Sequence, residues 1–85
     1  MLTRSARANW FAIAAEAYWM VGRRERAREL NARALRLDEN LADAWIWKAL
    51  YDVAQGRTLD ARQALDRAQQ CPGGQEAEVY LELLR

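Results

Sequence analysis

The chain has 85 residues, 52% of them hydrophobic and 29% charged, with a net charge of +1. Such a sequence makes one globular domain with a modest core; it is too apolar for disorder and too evenly charged for the dense basic footprint of a nucleic-acid binder. Histidine is absent and Cys71 is the only cysteine, which excludes an internal disulfide, a cysteine-based metal site and every Ser-His or Cys-His catalytic arrangement.

Seventeen alanines, twelve arginines and eleven leucines favour helix, and with one proline and four glycines the breaks are few. Ser5 is the expected N-cap of a first helix running to about Val21. The early arginines and the apolar run before Glu16 faintly resemble a signal peptide, but the same residues fit this helix better. Gly22 interrupts, and a second helix spans about Arg24 to Leu37. After "DENLAD", Asn40 is the expected N-cap of a third helix from about Leu41 to Ala54, with Asp43 favouring its first turn through the helix dipole. Gly56 interrupts again. Thr58 should cap a fourth helix ending near Gln70, and "CPGG" is the strongest break in the chain. A fifth helix, about Gln75 to Leu84, closes it. The expected fold is all-α, and no segment approaches the roughly 20 apolar residues of a membrane span.

The chain also repeats itself. Laid over residues 42–75, residues 8–41 bring Ala8 onto Ala42, Ala15 onto Ala49, Gly22 onto Gly56, Arg23 onto Arg57, Ala27 onto Ala61, Arg28 onto Arg62, Arg33 onto Arg67, Ala34 onto Ala68 and Phe11 onto Trp45, a period of 34 residues. Small residues recur where two helices approach closely, and glycine recurs at the turn between them. This period and its register resemble the tetratricopeptide repeat. The first unit matches that pattern with Phe11, Ala15, Tyr18, Gly22, Ala27 and Ala34, and the second with Trp45, Ala49, Gly56, Ala61 and Ala68. It departs at Lys48 and Asp52, where the family prefers apolar residues. The resemblance implies an α-solenoid of helix-turn-helix repeats in one domain, 1–85: repeat one at 8–41, repeat two at 42–73, and a capping helix at 75–85.

Phe11, Tyr18 and Trp45 fall on the face expected to meet the second helix of each unit, as core. A different stripe reads Asn9, Ala12, Ile13, Glu16, Trp19, Met20 on the first helix and Asp43, Ile46, Trp47, Leu50, Val53, Ala54 on the third, each at three-then-four spacing. The resemblance implies that these faces line a concave groove that receives ligands. Such a groove would be largely apolar, the mark of an interaction site, filled by a partner or by another copy of the chain, or covered by the last helix. Ala12 and Glu16 stand where relatives that grip a terminal carboxylate need basic and amide residues, so that mode is disfavoured. The arginines of the second helix (Arg23, Arg24, Arg26, Arg28, Arg33, Arg36) are interleaved with Glu25 and Glu29. The pairs Glu25–Arg28 and Glu29–Arg33 suit a solvated convex face. No carboxylate pair is sequestered for acid/base work, and Cys71 reads as a half-buried structural thiol.

The expected function is protein–protein interaction: an adaptor, chaperone or assembly-factor module holding a peptide or helix. The alternative is a self-associating structural subunit, and a third reading is a weak binder of nucleic acid or an acidic partner through the arginine-rich helix. No enzyme activity, cofactor, metal or membrane contact is expected, and the expected location is the cytoplasm. Circular dichroism should report a mostly helical chain that unfolds in one transition at low denaturant; appreciable sheet would contradict the reading.

Overall fold

The computed structural model describes residues 3–84. Among them the chain is all-α: α1 (Arg4–Met20), α2 (Arg24–Leu37), α3 (Ala42–Ala54), α4 (Thr58–Gln69) and α5 (Ala77–Leu83), with a short 3-10 turn at Gly74–Glu76 and no strand. None of these helices is long and apolar enough to cross a membrane. The chain divides into two compact units, Met1–Leu41 and Ala42–Arg85. The division falls where the 34-residue register restarts.

In the first unit α1 packs on α2. Most of the buried residues here are small: Ala8, Ala12 and Ala15 on α1, and Ala27 and Ala34 on α2 beside Leu30 and Asn31. Alanine keeps helix propensity high and lets two backbones come close. The turn between the helices closes in a Schellman geometry. Gly22 N–H donates to the Trp19 carbonyl at 3.0 Å, and Arg23 N–H donates to the Tyr18 carbonyl at 2.9 Å. That places Gly22 at φ +84°, in the left-handed region where a side chain is strained. At the far end, the Arg4 guanidinium donates through Nε to the Leu37 carbonyl at 2.6 Å and through Nη2 to that of Arg36 at 3.3 Å. A cation thus satisfies the orphan carbonyls at the C-terminus of α2.

The second unit repeats the design. Gly56 N–H donates to the Val53 carbonyl at 3.0 Å and Arg57 N–H to that of Asp52 at 2.8 Å, with Gly56 at φ +76°. Ile46 and Ala49 of α3 meet Ala61, Ala64, Leu65 and Ala68 of α4, and Ala77 of α5 joins them. Trp45, Tyr80, Leu81 and Leu84 pack around this cluster half-buried. The two polar departures from the repeat pattern answer each other: Lys48 Nζ lies 2.8 Å from Asp52 Oδ2, one helical turn on, so the buried Asp52 carboxylate is paired.

Several expected boundaries move. The N-cap of α1 is Thr3, whose hydroxyl accepts from Ala6 N–H at 3.0 Å; Ser5 lies inside the helix. Thr58 is the first residue of α4 rather than its cap, and Arg57 holds the cap position without a side-chain bond. α3 starts at Ala42, and Asn40 instead donates its N–H to Asp38 Oδ1 at 2.9 Å. The last helix is shorter than expected. Gly73, at φ +76°, turns the chain into the 3-10 turn, and α5 begins only at Ala77.

Gly74 is required for a different reason from the turn glycines. A Cβ there would fall on the carbonyl oxygen of Ala68 and 2.7 Å from its carbonyl carbon. Backbone cannot yield as a flexible side chain does. Gly74→Ala should therefore lose about 3 kcal/mol in urea denaturation. Gly22→Ala, which meets open space and bears only the left-handed strain, should lose about 1–2 kcal/mol. Equal losses would contradict the close approach at Gly74.

Candidate functional site

Because the buried faces are alanine, the aromatic rings cannot sit between the helices. Phe11, Tyr18, Trp19 and Trp45 lie at the rim, half-buried, under arginines, while Tyr51 is buried. Arg33 stands over the Phe11 ring at 4.6 Å, and Arg67 over the Trp45 ring at 5.7 Å. These are the same two positions of the repeat, 34 residues apart. Arg24 covers Trp19 at 4.7 Å and Arg23 covers Tyr18 at 5.7 Å. Each contact lies within the range of a cation–π attraction. Phe11, Tyr18 and Trp45 do face the second helix of their unit, but as rim residues rather than a closed core.

This alters the reading of the arginine-rich helix. Arg23, Arg24 and Arg33 hold aromatic rings of α1. Arg26 pairs with Glu29 at 2.9 Å and Arg28 with Glu25 at 3.3 Å. The expected Glu29–Arg33 pair is replaced, since Arg33 is turned to Phe11. The arginine-rich side of α2 is in part a cover for the unit itself. Cys71 is buried rather than half-buried; its Sγ lies 3.4 Å from the Arg67 carbonyl and 3.8 Å from Arg67 Nη1.

The proposed groove residues separate into exposed, half-buried and core positions. In the first unit Asn9, Ile13, Glu16 and Met20 are exposed, and Trp19 is half-buried under Arg24. Ala12 is a correction: it is buried beside Ala8 and Ala15 on the face toward α2. In the second unit Asp43 is exposed, while Trp47 and Leu50 are half-buried. Ile46 is the second correction. It sits at the inner edge of its stripe, next round the helix from Ala42 and Ala49, and is part of the core cluster. Trp47 leans on Tyr51, with ring centroids 5.8 Å apart and planes tilted by 36°.

Two surfaces remain open, one in each unit. The first is the outer side of α1. Trp10, Ile13, Met20 and Val21 are 61%, 59%, 79% and 72% exposed. With Ala17 they follow three-then-four spacing on the side turned away from Ala8 and Ala15, so α1 is apolar on two opposite sides. The repeat register does not single out Trp10, because Phe11 beside it takes the bulky position; the 10, 13, 17, 20 spacing is the sequence signal that does. The second is a pocket of about 170 Å³ in the other unit, lined by Ala49, Leu50, Val53, Leu65, Tyr80, Leu83 and Leu84. Its floor is Leu65, and its rim carries Val53 and Leu83, 42% and 75% exposed. Leu50 and Val53 belong to the expected stripe, whereas the α5 contribution depends on where that helix docks. No group of three or more His, Cys, Asp or Glu among the described residues is placed to hold a metal.

The tryptophans of α3 give a direct check on these placements. Trp45 packs against the core cluster and under Arg67, so Trp45→Ala should lose roughly 3–5 kcal/mol of stability. Trp47 packs on Tyr51 outside that cluster, so Trp47→Ala should lose less, about 1 kcal/mol. Thermal or urea unfolding that reverses this order would place the two rings on the wrong sides of α3.

No family model, curated protein or solved structure matches this chain.

Proposed function

We propose that the chain is a tetratricopeptide-like interaction module, without enzymatic activity, that docks an apolar segment of a protein partner in the pocket of its second unit. One observation carries the reading: the pocket beside Leu65, lined throughout by apolar residues and Tyr80, is left open in a chain whose buried core is mostly alanine. An open apolar cleft with an unburied apolar rim is the surface that protein partners cover. The twice-written helix pair, with its glycine turn and arginine-covered aromatic, supports the tetratricopeptide likeness. In repeat architectures of that kind, binding energy comes from shape and burial. The engagement of Arg23, Arg24, Arg26, Arg28 and Arg33 inside their own unit weighs against the nucleic-acid reading, because few of those cations are left to track a phosphate backbone.

Selection from a library of helical peptides should enrich sequences with apolar residues at i, i+3 or i+4, i+7. Val53→Glu puts a charge on the pocket rim without disturbing the buried cluster. It should weaken the enriched peptides at least about tenfold, equivalent to about 1.4 kcal/mol, with the thermal midpoint little changed. Peptides that bind the variant as tightly as the original chain would contradict the reading.

A further inference from the structure

We infer that the occupant of the pocket is a second copy of this chain, which enters with the outer side of its α1. The inference rests on the docking role proposed for the pocket and names what fills it. Both halves of the contact are present and uncovered in one molecule. The outer side of α1 presents Trp10, Ile13 and Met20 in a row, and the pocket presents Leu50, Val53 and Leu83 around Leu65. Trp10 opens that row at 61% exposure, and tryptophan is among the residue types that most often anchor an interface.

Charge fits the same pairing. Residues 1–41 carry eight Lys/Arg against five Asp/Glu, a net +3, and residues 42–85 carry five against seven, a net −2. These ranges are the two compact units. A first unit approaching the second unit of another copy is therefore attracted, while like units repel, since complementary potentials set partner and orientation. Isologous α1-to-α1 pairing would bring two +3 units together.

A contact between two different surfaces is heterologous, so it does not end at two copies; it continues into rings or open chains. Two variants test this. Trp10→Glu spoils the entering face and keeps the pocket, and Leu83→Glu spoils the pocket and keeps the entering face. Both sites are exposed, and Trp10→Ser with Leu83→Ser gives a second pair should either glutamate variant lose helix by circular dichroism. In sedimentation velocity at tens of micromolar, the unaltered chain should associate beyond a dimer, at a midpoint concentration that rises as added salt screens the attraction. Each variant alone should be monomeric, and an equimolar mixture should form a one-to-one heterodimer that grows no further. The inference is overturned if the unaltered chain stays monomeric, if Leu83→Glu still self-associates, or if the mixture stays monomeric. A monomeric chain whose peptide binding is still weakened by Val53→Glu would reject the second copy as occupant and leave the docking role standing.

Discussion

Twelve of the seventeen buried hydrophobic residues among those described are alanines. That single fact sets the geometry of each unit. Alanine against alanine brings helix backbones together, so the linking turn must be tight, and Gly22 and Gly56 supply it in the left-handed conformation. A close seam leaves no room for rings between the helices. Phe11 and Trp45 are pushed to the rim, and Arg33 and Arg67 reach across from the facing helix to cover them. Each such contact is worth about 0.5–1 kcal/mol, modest alone but useful where the seam itself contributes little apolar area.

The same constraint explains what lies outside. An alanine seam cannot absorb the chain's larger apolar side chains, so Trp10, Met20 and Leu83 stand exposed. On α1 this produces apolar residues on two opposite sides, one used within the unit and one unused. In the second unit α5 is only seven residues long. It ends against the buried cluster and leaves the cleft between Leu50 and Leu83 open. The proposed interaction role rests on those two uncovered surfaces.

Much of this was legible in the sequence, and the reasons differ by element. The turns were legible because glycine at a helix end has one dominant use, and the helix pairs were legible because alanine recurs at their closest approach. Caps were less so: Thr3 and Ser5 are both good N-cap residues two positions apart, and only the final turn of backbone chooses between them. The groove stripe was partly legible. Spacing alone gives a stripe's centre but not its width, so Ala12 and Ile46, at the edge, fall into the core while Ile13 and Leu50 stay at the surface. The arginine cover was not legible, because helical spacing places Arg33 equally well beside Glu29 or over Phe11, and the choice depends on a facing helix. Lys48 and Asp52 looked like polar intrusions until their ion pair accounted for both.

The alanine seam is the claim on which the rest depends, and Ala27 tests it most directly. It is fully buried on α2, at the repeat position shared with Ala61, whereas Ala32 on the same helix is exposed. Urea denaturation of Ala27→Leu should show a loss of about 1–3 kcal/mol from overpacking a seam with no spare volume, and Ala32→Leu should leave the midpoint nearly unchanged. An Ala27→Leu chain as stable as the original, or more stable, would mean the helices have room for larger side chains, and would contradict the close seam from which the rim aromatics and the uncovered apolar surfaces have been derived.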